Sequence, residues 1–465
     1  MGIINSSFKS FFWNISGAIL GFLFQMISAK VLGADKYGQA NYYLGYVSTL
    51  TIIMCFGLQT YIPKKIEEYP DKKKFFSDVV CTYTVVFLGI SCIFGVIGGG
   101  LTYIKICIIL LAYLTIISEL ILIYNISTGN ASKGMFFRKF LYSLLNLILF
   151  LITFFCISKE YYIYIIVMIF SYLLTTTPFL IKNLKGGSYK FRILKESSSY
   201  YLIQIIYGIY LGYSKILQKD FGTFETVAVL SISLTLGAIV AMLGDIFAKI
   251  SMPIFAKAWK EKDFVMLKST YKQITRLNCY LVLPIALLLL INSERILGVL
   301  GKGYLGGGTI FSLIMLSQFI NSFTGPNGTL LVMADFTKNE IINGILKLLV
   351  SVVIMTLIGS QYTWTIAFSI LASEIFVNII KTLQVKKYIN IWPYEQKSFV
   401  YILMLTVVEG IILCSIAMIS NFWIWIVVNI IVVIGFYVMS FIKSPINSDR
   451  EMILSYIKKI KVGRW

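Results

Sequence analysis

Long apolar stretches alternate with short polar segments along the whole chain, and each stretch is about as long as a membrane-spanning helix. A hydrocarbon core of ~30 Å requires roughly 20 apolar residues in helical conformation. The pattern therefore predicts an all-α integral membrane protein with about 14 transmembrane helices. Their approximate cores are 11–32, 40–62, 77–99, 104–128, 137–158, 161–182, 199–219, 226–250, 274–297, 307–334, 338–360, 361–383, 398–420 and 421–443.

Basic residues are concentrated on alternate connections between these spans. The basic segments are 63–75, 129–139, 182–200, 249–276, 381–397 and the C-terminal tail. Since Lys and Arg accumulate on the cytoplasmic side, this asymmetry predicts a multi-pass membrane protein with both termini in the cytoplasm. The net charge of +20 thus orients the chain and does not indicate nucleic-acid binding, because 58% of the residues are hydrophobic and only 13% are charged. The mean hydropathy is +0.83.

Composition excludes several classes of function. No polar segment is long enough to form a soluble catalytic or nucleotide-binding domain, and no Gly-rich phosphate loop precedes a Lys-Ser/Thr pair. The chain has no histidine, and its seven cysteines lie within spans and form no C-x-x-C pair. We therefore expect no catalytic residue, no metal site and no cofactor. The short outer connections favour a transporter over a membrane enzyme of glycan assembly.

Lys30 and Lys215 indicate an internal repeat. Each lies near the outer end of a predicted span, the first and the seventh, and is followed by a polar turn with an aromatic residue and a glycine. Repeated halves are common in secondary transporters. We expect two six-helix bundles around a central cavity, followed by a helix pair and a tail. The expected ranges are 1–182 and 183–385 for the bundles, 386–443 for the pair and 444–465 for an amphipathic cytoplasmic tail.

The N-terminal region carries a recognisable combination of short motifs. The sequence FFWNISG occupies 11–17, AKVLG occupies 29–33 and YGQA occupies 37–40. This combination resembles the start of the Wzx-type polysaccharide flippases, which belong to the larger superfamily of MATE drug exporters and lipid II flippases. That family commonly has Arg or Lys followed by x-Leu-Gly and, after a short gap, Tyr-Gly, and Lys30 fills the basic position.

The resemblance implies the substrate and the mode of action. It implies export of an undecaprenyl-diphosphate-linked oligosaccharide from the inner to the outer leaflet by alternating access, for O-antigen or a related surface polysaccharide. It also implies contact with membrane lipid and with other membrane proteins of glycan assembly. Without an ATP-binding motif, a coupling H⁺ or Na⁺ is a natural energy source.

Three lysines lie within spans, where charge is expensive and tends to face a cavity or a partner. Lys30, Lys215 and Lys347 are our candidates for diphosphate binding, because lysine is a good point-charge partner for phosphate. Snorkelling to the interface is the alternative for Lys30 and Lys215. For Lys347 the alternative is an ion pair with a buried carboxylate.

Three glutamates lie near the middle of predicted spans. A carboxylate at this depth is protonated, paired or part of a coupling-ion site. We assign Glu119 and Glu374 to ion coupling or gating, and Glu409 to helix packing. Asp245 and Lys249 are spaced for a local i,i+4 salt bridge.

Aromatic side chains suit sugar faces, and we expect sugar contacts from Tyr42, Tyr46, Tyr207 and Tyr210, although belts at the interface and packing explain most tyrosines. Residues 323–328 contain Gly325 and Pro326, which predict a kink or break in the tenth span. In the tail, Ser448 and Glu451 fit a capping box ahead of an amphipathic helix that we expect to bind anionic lipid.

A MATE-like antiporter of small cations shares the predicted architecture and stays open as an alternative. The sign of the cavity charge separates the two hypotheses. A diphosphate requires lysines, whereas a cationic compound requires carboxylates that are not already paired. A membrane enzyme of glycan assembly is a third and weaker alternative.

Overall fold

Helices make up all the regular structure in the part of the chain that the computed structural model describes. That part comprises residues 2–97, 102–198, 201–442 and 446, without the side chains of 2–8, 93–97, 202–204, 206–211, 243, 246 and 442. The helices are α1 Gly2–Ile53, α2 Leu58–Lys65, α3 Lys72–Ile97, α4 Tyr103–Ser127, α5 Ala131–Met135, α6 Tyr142–Cys156, α7 Tyr162–Asn183, α8 Phe191–Ser197, α9 Tyr201–Asp220, α10 Phe224–Lys260, α11 Phe264–Ile291, α12 Ser293–Leu300, α13 Gly308–Phe323, α14 Asn327–Met333, α15 Thr337–Ile358, α16 Thr365–Ile389, α17 Gln396–Ala417 and α18 Phe422–Ile442.

The predicted spans agree with these helices. Eleven of the described helical stretches are long and apolar enough to cross a membrane. The first of them, α1, covers the first predicted span and residues 40–53 of the second, and Gly33 between the two has a non-helical conformation with φ 77° and ψ 167°. Two further predicted spans correspond to α9 and to α13, which is 16 residues long. The all-α membrane fold is therefore confirmed.

One compact unit comprises Met1–Ser231. Within it α1 packs against α4, α6 and α9. Close approach of α1 and α9 depends on Gly45, since a Cβ there would lie 2.9 Å from the carbonyl oxygen of Gly212. Between α5 and α6 the chain forms a π-helix over Phe136–Leu141, an uncommon conformation that is frequent at functional sites.

An extended segment of residues 184–190, which we call the strap, connects α7 to α8 and lies along α3. Its backbone N–H groups donate to side chains of α3: Lys185 to Ser77 at 2.8 Å, Ser188 to Asp78 at 2.9 Å and Lys190 to Thr82 at 3.0 Å. Because an extended segment has no internal hydrogen bonds, these side chains supply the partners that its backbone needs. The strap is thereby fixed to α3.

The second compact unit comprises Ile232–Trp465. Here α11 packs against α13, α17 and α18, and α16 packs against both α13 and α15. The core near the ends of α10, α11, α14 and α16 contains large apolar side chains, among them Phe255, Leu267, Tyr271, Leu330, Leu331 and Val385. Because both α17 and α18 contact α11, this helix pair belongs to the second unit.

The boundary between the two units, at Ser231 and Ile232, lies within α10. The division into bundles at 1–182 and 183–385 with a separate helix pair stays a prediction. The tail from Ser448 to Trp465, with its expected capping box and amphipathic helix, lies outside the described residues.

Candidate functional site

Lys215 is the lysine whose surroundings are most informative in the first unit. It lies on α9, where that helix contacts α1, and its ammonium donates to Asn41 Oδ1 at 3.1 Å. Asn41 is buried and oriented by its own Nδ2, which donates to the carbonyl oxygen of Tyr37 at 3.1 Å. Among the described residues no carboxylate pairs with Lys215. A neutral amide therefore solvates this ammonium without cancelling its charge.

Lys30 lies on α1 with an exposed side chain, and it forms no ion pair with any described residue. The residues beside it, Ser28 and Ala29, are fully buried. Lys30 thus points away from the packed interior of its own unit. Its charge, like that of Lys215, has no carboxylate partner in the described part of the chain.

Two of the four predicted sugar-contact tyrosines have described side chains. Tyr42 and Tyr46 are one helical turn apart on α1, with hydroxyls 3.0 Å apart and ring centroids 5.3 Å apart. Tyr46 is exposed, and Phe224 packs edge-on against Tyr42. The side chains of Tyr207 and Tyr210 lie outside the described residues.

Glu119 is paired, which is one of the three states expected of a carboxylate at this depth. Its Oε2 lies 3.4 Å from Nε of Arg138, which is on the π-helix. The guanidinium also lies over the rings of Tyr142 and Tyr172, at 5.5 and 5.3 Å from their centroids. Arg138 was assigned to a basic connection, yet its side chain is 15% exposed. Glu119 is therefore one half of a largely buried pair.

In the second unit, two neighbouring helices carry matching polar stripes. On α15 the stripe is Glu340, Asn343 and Lys347, and on α16 it is Glu374, Asn378 and Lys381. Each has acid, amide and lysine at positions i, i+3 or i+4, and i+7, which lie on one face of a helix. The spacing of the second stripe is visible in the sequence, although of its three residues only Glu374 is among the predicted site residues.

The stripes pair crosswise because α15 and α16 run antiparallel. Lys381 donates to Glu340 at 2.5 Å, and Lys347 donates to Glu374 at the other end of the stripes. The side chains of both pairs are 28% exposed or less. Of the two alternatives for Lys347, the structure thus shows the ion pair with a buried carboxylate. The ion-pair partner of Glu374 is likewise Lys347.

The tenth predicted span is broken, as Gly325 and Pro326 predicted. Gly325 has φ 68°, and a Cβ there would lie 2.2 Å from Thr275 Oγ1, so only glycine fits.

The backbone carbonyls that the break leaves free at the end of α13 accept hydrogen bonds from side chains. Asn278 donates to Ser322 at 3.1 Å, Tyr271 donates to Thr324 at 3.2 Å, and Tyr394 donates to Phe323. Such side-chain donors make irregular backbone tolerable at membrane depth.

Asn378 links this break to the charged stripe. Its Oδ1 accepts from Thr324 Oγ1 at 2.7 Å and from Asn327 Nδ2 at 3.2 Å, while its Nδ2 donates to Glu374 Oε1 at 3.0 Å. The chain of contacts from Lys347 through Glu374 to the break is continuous. The position of the break is therefore tied to the ion pair.

A cavity of about 340 Å³, which we call the break cavity, lies beside residues 325–329. All of its lining comes from the second unit. The polar lining residues are Asp245, Asn278, Asn321, Ser322, Asn327, Thr329, Glu340 and Lys381. Asp245 is exposed and forms no ion pair in the described part of the chain, so the expected salt bridge with Lys249 is absent from this structure. Asp245 instead lies in the lining of the break cavity.

Glu409 is buried on α17, with 2% of its surface exposed and Oε1 without a hydrogen-bond partner among the described residues. It lies among apolar and small side chains of α11, α17 and α18, including Leu283, Pro284, Leu405 and Phe436. This position is the helix-packing location that we assigned to it.

The fold is shared with solved transporters. The sequence matches no protein-family model and no curated protein. The lipid II flippase MurJ, in an inward closed conformation, has a TM-score of 0.69 at 16% identity over 97% of this chain and 100% of its own. An inward-facing multidrug-resistance MATE transporter of the MOP superfamily has 0.63 at 12% identity, over 80% and 94%. The Vibrio cholerae MATE transporter VcmN has 0.53 at 13%, over 83% and 98%. At these identities the likeness establishes the fold.

Proposed function

We propose that this protein is a flippase that moves an undecaprenyl-diphosphate-linked oligosaccharide from the inner to the outer leaflet of the bacterial cytoplasmic membrane, by alternating access and for surface polysaccharide assembly. Two lines support the proposal. The fold extends over the whole length of a lipid II flippase. The N-terminal motifs around Lys30 resemble those of Wzx-type flippases.

The observation that carries the proposal is the environment of Lys215. An ammonium in a membrane span is costly unless an anion or a strong dipole compensates it. Asn41 supplies one amide oxygen and no charge. A diphosphate, with its concentrated negative charge, would complete the compensation that the described side chains leave unfinished. The same reasoning applies to the exposed Lys30.

Lys347 has a different part in the proposal. While it is paired with Glu374, its charge is cancelled and cannot attract a diphosphate. It would contribute only in a state in which that pair opens. Tyr42 and Tyr46 remain our candidates for stacking on sugar rings, since part of their aromatic surface is accessible.

Energy coupling is assigned to Glu119 and Glu374 together with their basic partners. Protonation of either carboxyl would break its ion pair, with Arg138 or Lys347, and so alter helix packing. Glu119→Gln should therefore weaken the response of transport to an imposed pH or Na⁺ gradient. Glu160→Gln, which alters an exposed pair with Lys36, is the control. An unchanged response in Glu119→Gln would assign this carboxylate to structure alone.

The proposal is tested in cells by loss and restoration of a surface glycan. Deletion of the gene should abolish the glycan, and the parent chain should restore it. The Lys30→Ala/Lys215→Ala double variant should fail to restore it while inserting normally into the membrane. Lys219→Ala is the matched control on the same helix, because Lys219 lies over the ring of Phe224 instead. Full restoration by the double variant would refute the diphosphate role.

A MATE-like antiporter of small cations is the second candidate, and one observation favours it. Asp245, at the break cavity, is a carboxylate with no ion-pair partner among the described residues, as a cationic compound requires. Lys381 lines the same cavity and opposes such a ligand, although Glu340 pairs with it. Export of a fluorescent cationic dye by the parent, lost in Asp245→Asn, would favour this function over the flippase.

A further inference from the structure

The basic end of the second unit contains a cavity of about 730 Å³, which we call the lysine cavity. It lies between the first turns of α11 and the connection from α16 to α17, and its lining includes Phe264, Val265, Lys268, Lys272, Tyr388 and Glu395. The volume is within the ~300–1,000 Å³ range of ligand pockets. Since it shares no lining residue with the break cavity, it is a separate site.

The lining of the lysine cavity combines apolar and cationic side chains. Val265 is 81% exposed, Phe264 50% and Tyr388 40%. Lys268 is also exposed, and it forms no ion pair with any described residue. Water solvates an ammonium well but meets apolar side chains at a free-energy cost, so the apolar part of the lining requires a cover. An amphiphile with a negative headgroup would cover these side chains and neutralise the lysine.

The length of α11 places the cavity at the level of lipid headgroups. The helix comprises 28 residues, and a hydrocarbon core of ~30 Å takes up about 20 of them. The apolar end of α11 is the end away from the lysines, so residues 264–271 project beyond the hydrocarbon by up to about 12 Å. Trp392 on the connection is 47% exposed, as is typical of aromatic residues at a membrane interface. The exposed apolar side chains therefore lie beside headgroups, on the side that we predict to be cytoplasmic.

The charge of the lining favours an anionic headgroup over a zwitterionic one. Lys272 pairs with Glu395 at 3.2 Å, which leaves the charge of Lys268 in excess. A further ammonium of the same surface, that of Lys386, lies 5.5 Å from the ring centroid of Trp392. Basic pockets between transmembrane helices on the cytoplasmic side are typical sites for the phosphate groups of anionic lipids.

We propose that the lysine cavity binds an anionic phospholipid of the cytoplasmic leaflet, with Lys268 and Lys272 at its phosphate and with Phe264 and Val265 against its glycerol and upper acyl chains. The inference is independent of the proposed function, because such a lipid is resident whatever the transported compound is. The lipid would contact both α11 and the connection that begins after Tyr388. It would thereby hold these two segments together.

Two substitutions separate the charged part of the lining from the apolar part. Lys268→Gln removes the charge in excess, and Val265→Ser removes an apolar side chain without changing charge. Both positions are exposed, so the risk to folding is small. Lys268→Arg keeps the charge and should keep the binding. Lys260→Gln is the matched control, because Lys260 is exposed at the end of α10 and lies outside the lining.

The test measures binding to the purified full-length chain in detergent by native mass spectrometry. The probes are phosphatidylglycerol and phosphatidylcholine with identical acyl chains, glycerol 1-phosphate, and a glutamate-rich peptide. We expect the first phosphatidylglycerol to bind the parent about fivefold more tightly than phosphatidylcholine, as one lysine near an anionic surface contributes. Lys268→Gln should lower that affinity about fivefold, whereas Lys260→Gln should leave it unchanged. Val265→Ser should weaken both lipids alike, by about twofold or more.

Several outcomes contradict the inference. Equal affinities of the parent for the two lipids would show that the cavity selects no anionic headgroup. Equal losses in Lys268→Gln and Lys260→Gln would assign the binding to the basic surface in general. If glycerol 1-phosphate binds as tightly as phosphatidylglycerol, the occupant is a soluble anion, and if the peptide binds more tightly, it is a protein. Unchanged lipid binding in both Lys268→Gln and Val265→Ser would place the lipid elsewhere.

Discussion

The two units treat the lysines in their membrane spans differently. In the first unit Lys215 has a neutral partner, the amide of Asn41, and no described carboxylate. In the second unit Lys347 and Lys381 each have a glutamate on the neighbouring helix. Net charge is therefore retained at one site and cancelled at the other. The role of such a lysine is set by its partner across the helix interface and not by its depth in the span.

The difference has an energetic consequence. An ion pair that is largely buried contributes little net stability, but removal of one partner leaves the other charge uncompensated. Lys215 contacts a neutral amide, so removal of this lysine leaves no charge uncompensated at Asn41. Single substitutions in the stripes of α15 and α16 should therefore lower the stability of the fold, and paired substitutions should lower it less. Lys215 should be dispensable for folding.

The largest expected effect is on the pair in the second unit. Lys347→Met should destabilise the protein by about 3–5 kcal/mol, since it leaves the Glu374 carboxylate buried without its cation. Lys347→Met/Glu374→Gln should recover most of this loss. The measurement is thermal unfolding in detergent, with expression in the membrane as a second readout. Equal stability of parent and single variant would contradict the structural role of the pair.

A smaller effect is expected when the first unit is made to resemble the second. Asn41→Asp places a carboxylate beside Lys215 and should cancel its charge. We expect transport to fall while stability is kept, because an ion pair replaces a single amide contact. Asn41→Ala, which removes the partner and retains the lysine charge, is the comparison variant. Undiminished transport by Asn41→Asp would separate Lys215 from the substrate.

The smallest expected effect concerns α8, which lies outside the comparison of the membrane-span lysines. The Arg192 guanidinium, with the Tyr61 hydroxyl, holds the pKa of the Glu196 carboxyl below its ordinary value. A lowered folded-state pKa gives stability that is present above the unfolded value of about 4.3 and is lost as pH falls through the lowered pKa. Protection of residues 191–197 against hydrogen exchange should therefore fall only in this acidic range, and Glu196→Gln should remove that fall. The strap keeps a separate pH dependence, because the carboxylates of Asp78 and Asp71 hold it.

Much of the fold was predictable from the sequence because each span carries its own evidence. Apolar length located the helices, and Gly325 with Pro326 located the break, since both signals are local. The partners of the charged residues were less accessible. Lys215 and Asn41 are 174 residues apart in sequence, and nothing local in either segment identifies the other. Glu119 was therefore described without Arg138.

The stripes on α15 and α16 lie between these extremes. Their spacing, i, i+3 or i+4, and i+7, is visible in the sequence, yet the crosswise pairing follows only from the antiparallel packing of the two helices. The lining of the break cavity was not predictable at all. Its residues come mainly from α10, α11, α13, α14, α15 and α16, and nothing local in any one of these segments identifies the others.

The most direct test of the central claim measures translocation by the purified protein in liposomes. The substrate is undecaprenyl diphosphate carrying a sugar with a fluorescent label, and a quencher outside the vesicles reports the leaflet that it occupies. We predict protein-dependent translocation that falls about tenfold or more in Lys215→Ala, as loss of a charge-assisted contact implies, and that persists in Lys219→Ala. Absence of translocation by the parent, or equal rates in the parent and Lys215→Ala, would contradict the account.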